Sequence, residues 1–377
     1  MIKRKLPTAP EELTVDILND VIADFTPDVV LTGFDVMEKH VWGSGTASSA
    51  GRVVIEPVYG ETGSSQLPRR IVVKVANSLA GDPTTPDPIA GAHGALYRNE
   101  VAIYRELRPN EFLEAPRALG GAYDETSNSL MLLLEDLRDR GVTFASVTTP
   151  TSLDRMRSLL DQLATLHAKY WNHPEHGGSL DWMEAHTRGI IHDKFNDPNI
   201  MAAHIANQVA TEQFKREMVE RLGTTVDGLF RQFQLVQQHQ ATLPQTVCHG
   251  DTHIGNTYIL PDDRGGLLDW QLASVGFAMH DVSYLVATGL SVGQRRKHER
   301  ELLTYYRMLL LEKGAVDVPS PDMLWLEYSR AMVWGVYIGW LTTPVPNYGW
   351  EITVLAHLRT MTAYEDLETA RLIEQLA

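Results

Sequence analysis

Asp251, Asn256 and Asp269 stand close together in a segment that runs from His249-Gly-Asp-Thr-His-Ile-Gly-Asn256 to Leu267-Leu-Asp-Trp270. A carboxylate, a side-chain amide five residues on and a second carboxylate thirteen further form an oxygen-rich set. Oxygen donors of this kind suit Mg²⁺, a hard cation. A carboxylate beside the metal pair can accept the proton of an attacking hydroxyl or fix its orientation. Phosphoryl transfer asks little covalent chemistry of a protein; it needs positioning and charge neutralisation. Asp251 is therefore the candidate hydroxyl-facing residue, and Asn256 and Asp269 are the candidate metal ligands. His249 and His253 flank Asp251 and are read as scaffold.

A phosphate donor has to be held as well. Lys74 lies in the β-branched run Arg70-Ile-Val-Val-Lys-Val-Ala76, whose apolar neighbours would bury its stem. A buried ammonium needs a partner, and Glu100 on the following helix is of the right kind. The Gly/Ser-rich turn Trp42 to Gly51 brings Gly43, Ser44, Gly45 and Thr46, where missing side chains let backbone N–H groups approach phosphates. Leu132-Leu-Leu-Glu-Asp-Leu137 is an apolar strand ending in charge; the backbone of Glu135, Asp136 and Leu137 could hydrogen-bond an adenine edge, or the strand could simply end at the surface.

The elements that must carry these residues change character along the chain. Residues 1–136 read as mixed with strong β signals. Helical spacing covers 11–25, strands cover 29–41, 52–59 and 70–76, a loop covers 77–94 and a helix covers 95–107. A hairpin spans 118–123 and 129–134. Residues 137–377 read as mostly helical, over 152–170, 200–222, 226–240, 292–313, 323–341 and 350–376, with short strands near 257–260 and 266–269. The predicted boundary near Glu135–Leu137 has no long linker.

These pieces resemble the aminoglycoside phosphotransferase and choline kinase superfamily, within it the ecdysteroid-kinase-like branch. The resemblance rests on Val73-Lys74, on Glu100 in Tyr97-Arg-Asn-Glu-Val-Ala-Ile-Tyr104, and on Leu133-Leu-Glu-Asp-Leu137. It rests further on Leu163-Ala-Thr-Leu-His-Ala-Lys-Tyr-Trp171, His249 to Asn256, Leu268-Asp-Trp-Gln271 and His280-Asp-Val-Ser-Tyr284. It implies an α+β, protein-kinase-like fold with a small β-rich N-lobe and a larger helical C-lobe. It implies transfer of the γ-phosphoryl group of ATP, with GTP left open, to a hydroxyl of a small molecule, with Mg²⁺ as cofactor. Asp251 becomes the catalytic base, Asn256 and Asp269 hold the metal, Lys74 contacts the α- and β-phosphates with Glu100 paired to it, and residues 135–137 form the hinge. Asp281 is expected to brace the catalytic loop. Trp270 and Gln271 stand where protein kinases carry Phe-Gly, which favours a small-molecule acceptor over a protein.

Composition bounds the alternatives. The chain has 377 residues, a formal net charge of −15 and a single cysteine, Cys248. The negative charge argues against nucleic-acid and anionic-membrane partners. One cysteine permits no intrachain disulfide and fits a reducing cytoplasm. No apolar run reaches the length of a membrane span. Cys248 is expected to pack as a small hydrophobe. Two rival chemistries are weighed: a metal-dependent hydrolase using His249, Asp251 and His253, and a non-catalytic nucleotide-binding module. The first leaves Lys74, Glu100 and Asn256 without a task, and the second usually shows the loss of a residue that is present here. The aromatic run from Trp325 to Trp350 is read mainly as core, with Trp334, Tyr337 and Trp340 on one possible acceptor-facing side.

Overall fold

A computed structural model describes residues 5–7, 10–40, 50–61, 67–77, 90–173 and 178–377. They fall into two compact units, Met1–Val142 and Thr143–Ala377. The Gly/Ser turn positions Gly43, Ser44, Gly45 and Thr46 lie outside the described residues.

In the first unit, helix α1 (Val15–Ile22) is capped by the Thr14 side chain, which accepts from the Ile17 N–H. Strands β1 (Leu31–His40), β2 (Gly51–Tyr59) and β3 (Ile71–Asn77) follow, then helix α2 (Ala90–Ala102), β4 (Ala118–Asp124) and β5 (Ser129–Glu135). They form one five-stranded antiparallel sheet in the order β1-β2-β3-β5-β4. Strand alternation decides what each face does. Val53, Ile55, Val73, Val75, Met131 and Leu133 point to one face and pack with Leu18, Val21 and Ile22 of α1 into the core. Lys74, between Val73 and Val75, is therefore turned to the opposite face.

Helix α2 starts at Ala90, inside the stretch that the Gly and Pro content marks as loop. Tertiary packing overrides the glycine penalty here. A Cβ on Gly94 would sit 2.7 Å from Tyr123 Oη and 2.8 Å from Asn128 Oδ1, so a side chain would push the β4–β5 hairpin off the helix. The helix continues into a π-helical turn, Ile103–Leu107, and the chain reverses at Arg108 with φ 47°.

The second unit opens with β6 (Thr143–Phe144) and α3 (Leu153–Lys169), the latter capped by Ser152. Helices α4 (Ile190–Asn196), α5 (Ala203–Thr211), α6 (Gln213–Arg221) and α7 (Val226–Gln240) follow. Next come β7 (Thr246–Cys248), β8 (Thr257–Ile259), β9 (Gly265–Leu267) and β10 (Ser274–Gly276). The unit closes with α8 (Met279–Gly289), α9 (Val292–Glu312), α10 (Pro321–Trp334), α11 (Val345–Tyr348), α12 (Trp350–Asp366) and α13 (Thr369–Glu374). A π-helical stretch, Gly335–Trp340, extends α10. No helix among the described residues is long and apolar enough to cross a membrane.

Residues 200–222 are not one helix. The chain breaks at Glu212, which is extended at φ −101°, ψ 106°, although no glycine or proline marks the place. The break re-aims Lys215. Its fully buried ammonium donates to Gln208 Oε1 at 3.1 Å, to the Leu341 carbonyl at 3.1 Å and to the Thr343 carbonyl at 2.7 Å.

Burial lowers the Lys215 ammonium from 10.5 to about 8, with Glu212 opposing the shift. Between those values the unfolded chain holds the extra proton, so stability rises with pH across that window. We expect the urea stability of the wild type relative to Lys215→Met to climb by on the order of 3 kcal/mol between pH 8 and 10.5. A pH-independent difference would contradict this account of Lys215.

Candidate active site

Two short antiparallel pairings bracket the chemically interesting loop. Strand β7 pairs with β10, Cys248 opposite Ser274, and β8 pairs with β9, Thr257 opposite Leu267. The Asp251–Asn256 loop leaves β7 and enters β8, and Asp269 follows β9 by two residues. The pairings thus bring together residues that the sequence only places near one another.

The loop backbone is held from below by Asp281, which is fully buried on α8. Its carboxylate accepts the His249 N–H at 2.6 Å and the Gly250 N–H at 2.9 Å. It also accepts from His167 Nε2 at 3.1 Å, while His167 Nδ1 lies 2.6 Å from Tyr306 Oη. Burial opposes ionisation of Asp281, but the hydrogen bond and charge of His167, with His280 and His249, hold its carboxyl down at about 2. The Thr252 hydroxyl donates to the Asp281 carbonyl, His280 Nε2 bonds the Gly250 carbonyl, and the Ile254 N–H donates to Thr288 Oγ1. Gly250 sits at φ 84°, and a Cβ there would lie 2.0 Å from the Leu272 carbonyl oxygen. Only glycine lets the chain pass.

On this frame Asn256 Nδ2 donates to the Asp251 carbonyl at 2.9 Å and to Asp251 Oδ2 at 3.0 Å. The amide is thereby oriented, and its Oδ1 is the oxygen directed away from Asp251. Asp269 adopts φ 67°, a left-handed conformation uncommon for a residue with a side chain. Asn256 Oδ1 and the Asp269 carboxylate are the hard oxygen donors that Mg²⁺ takes, so the donor set fits that ion. Burial pushes the Asp251 carboxyl up to about 6; the Asp269 and Asp281 charges add to the rise, and His253 and Asn256 oppose it.

The histidines of this loop are spent on scaffolding. His249 Nε2 bonds the Leu268 carbonyl at 3.1 Å and its Nδ1 accepts the Asp251 N–H at 3.3 Å. His253 Nδ1 accepts the Gly255 N–H at 3.1 Å. With both His249 nitrogens engaged, the three-ligand hydrolase arrangement of His249, Asp251 and His253 does not form. A different trio, His167, Cys248 and Asp281, does converge, but His167 is already bonded to Tyr306 and Asp281. Cys248 is buried and burial pushes its thiol well up, as befits a packed side chain.

In the first unit, Lys74 Nζ and Glu100 Oε2 meet at 2.7 Å, both buried. At the end of β5 the Glu135 N–H donates to the Arg117 carbonyl and the Asp136 N–H to the Arg70 carbonyl. The Asp136 carboxylate caps the 3-10 helix Leu137–Arg140 and pairs with Arg138. Leu137 is the first residue of that helix, where a backbone N–H has no intrahelical acceptor.

With this geometry in hand, comparison with known proteins is direct. The sequence profile of the phosphotransferase enzyme family matches residues 68–317, well over half of the chain. The chain belongs to this family. The five-stranded antiparallel sheet followed by a helical unit is its two-lobed, α+β kinase-like fold, and the family chemistry is phosphoryl transfer to hydroxyl groups of small molecules. No curated protein matches the phosphotransferase by sequence.

Among solved structures, a macrolide 2'-phosphotransferase type I is 15% identical with TM-score 0.42, the alignment covering 92% of this chain and 97% of that one. A choline kinase from Streptococcus pneumoniae is 13% identical with TM-score 0.41, covering 88% and 94%. A putative fructosamine-3-kinase from Haemophilus somnus is 13% identical with TM-score 0.44, covering 95% and 96%. At these identities and scores the likenesses carry nothing about the acceptor.

His167 and Tyr306 were not singled out for a role by sequence reasoning. His167 lies inside the segment Leu163–Trp171 that carries the family resemblance, and a histidine on the apolar face of a helix is the one signal it offered.

The Lys74–Glu100 pair yields a test that separates stability from chemistry. Removing one member leaves an uncompensated buried charge, so Glu100→Ala is expected to cost about 3–5 kcal/mol in urea unfolding. The apolar pair Lys74→Met/Glu100→Leu is expected to regain most of that stability and still transfer no phosphate. Wild-type transfer by the double variant would contradict a role for Lys74 on the donor.

Proposed function

We propose that this phosphotransferase is an Mg²⁺-dependent small-molecule kinase that moves the γ-phosphoryl group of ATP to an acceptor hydroxyl. The observation that carries the reading is the orientation of Asn256. The Nδ2 of its amide bonds the Asp251 carboxylate, which leaves Oδ1 available to a cation, on a loop whose backbone Asp281 holds.

In this reading Asp251 accepts the proton of the acceptor hydroxyl as the new O–P bond forms. The bond from the γ-phosphorus to its bridging oxygen breaks, and the electron pair leaves with ADP. Asn256 and Asp269 would hold Mg²⁺, which supplies charge neutralisation on the phosphates. Lys74, kept in place by Glu100, donates to the α- and β-phosphates. The Leu137 N–H, with the backbone of Glu135 and Asp136 beside it, meets the adenine edge. Gly43, Ser44, Gly45 and Thr46 would cover the phosphates.

The test is ATP-dependent gain of phosphate by acceptor candidates, read by mass spectrometry beside calorimetric nucleotide binding. Asp251→Asn is expected to slow transfer by roughly 10²–10⁴-fold, the usual scale for a positioned base, while ATP binding changes little. Asp269→Asn is expected to raise the Mg²⁺ concentration needed for half-maximal rate. Transfer by Asp251→Asn at the wild-type rate would remove Asp251 from the mechanism.

A further inference from the structure

Tyr284 lies one turn beyond Asp281 on α8 and is 2% exposed. Two glycines of the π-helical stretch make the slot in which its ring lies. A Cβ on Gly335 would sit 3.2 Å from its Cδ2, and one on Gly339 would sit 2.4 Å from its Oη. The ring is buried, and its Oη has no protein hydrogen-bond partner among the described residues. The Trp340 indole N–H, which closes the same stretch, is buried without an acceptor. An unmade hydrogen bond on a buried donor is expensive, and the Trp340 N–H, with the unbonded Tyr284 hydroxyl, points to oxygen atoms that arrive with a ligand.

The surroundings place these donors next to Asp251. His253 Nε2 is 3.9 Å from Asp251 Oδ2. The His253 ring centroid lies 6.0 Å from those of Tyr284 and Trp340 and 6.2 Å from that of Tyr348, and the Trp340 and Tyr348 rings are 5.5 Å apart. Burial, with the charges of Asp251 and Tyr348 close by, pushes the Tyr284 phenol well up and keeps it an O–H donor.

Charge then narrows the ligand. The Lys215 ammonium is bonded to the Leu341 and Thr343 carbonyls, next in the chain to Trp340, so a fixed positive charge lies beside the aromatic wall. The buried carboxylates Glu299 and Glu327 are taken by Arg295 and Arg330. The Lys215 ammonium repels a cationic acceptor, a penalty that an uncharged one does not meet.

Building on the kinase reading, we propose that Tyr284 is a specificity-determining residue: its Oη donates to a second oxygen of the acceptor while Asp251 holds the reactive hydroxyl. The acceptor is an uncharged, ring-bearing alcohol that lies against His253, Trp340 and Tyr348.

The experiment uses the full chain with Mg·ATP and mass spectrometry. The probes are two cations, kanamycin and choline, and two uncharged polyhydroxylated ring compounds, estriol and catechin. Phosphorylation of an uncharged probe is expected. With that probe, Tyr284→Phe is expected to raise KM about tenfold, the scale of one neutral hydrogen bond, with kcat within about twofold. A monohydroxy counterpart of the probe should show no difference in KM between wild type and variant, which a merely structural role of the phenol would not produce. An unmoved KM for the uncharged probe, or phosphorylation of a cation and of neither uncharged probe, overturns the proposal. If neither uncharged probe is phosphorylated while Asp251-dependent ATP hydrolysis persists, the acceptor assignment falls and the kinase reading stands. If ATP is not consumed at all, the kinase reading itself falls.

Discussion

The Asp281 carboxylate is the contact on which the Asp251–Asn256 loop depends. A carboxylate that accepts two successive backbone N–H groups fixes the direction of the chain at His249 and Gly250, and with it the position from which Asp251 projects. Charge-assisted bonds of this kind are roughly twice as strong as neutral ones, and in a buried setting they have no water to compete with them. His167 completes the arrangement by bonding the carboxylate through Nε2, and Tyr306 holds the other nitrogen of its ring. The cost of burying the charge is thus offset by donors from two separate parts of the chain, the loop at His249–Gly250 and His167.

Strain is placed above this clamp. Gly250 passes against the Leu272 carbonyl at a distance no side chain allows, and Asp269 holds a left-handed backbone. Such conformations persist only where the surroundings over-determine them. The β7–β10 and β8–β9 pairings and the Thr252, Ile254 and His280 bonds supply that rigidity. A loop held this firmly keeps the Asp251 carboxylate and the Asn256 amide at fixed separation, the kind of positioning that phosphoryl transfer asks of a protein.

Much of the candidate site was legible in the sequence because its pieces are local. Asp251, Asn256 and Asp269 fall within one short segment, and Lys74 declares itself by interrupting a β-branched strand. The β-rich first unit and helical second unit followed from hydrophobic periodicity in the same way. What escaped has a common physical cause, long-range packing. His167 reaches Asp281 across 114 residues and Tyr306 across 139, and no local pattern records either contact. The break at Glu212 is set by carbonyls more than 100 residues away that Lys215 must reach. The early start of α2 depends on a hairpin that packs on Gly94. Tyr284 ends the segment His280-Asp-Val-Ser-Tyr284, and the glycines that frame its ring, Gly335 and Gly339, lie too far along the chain for any local pattern to record.

The claim that Asp281 organises the site is tested most directly by amide hydrogen exchange in Asp281→Asn, read beside phosphoryl transfer. Asparagine keeps one acceptor oxygen and turns a donor toward the other N–H. The account predicts that protection at His249 and Gly250 collapses while the helices of the second unit stay protected, and that transfer falls with it. Unchanged protection at those two amides would contradict it.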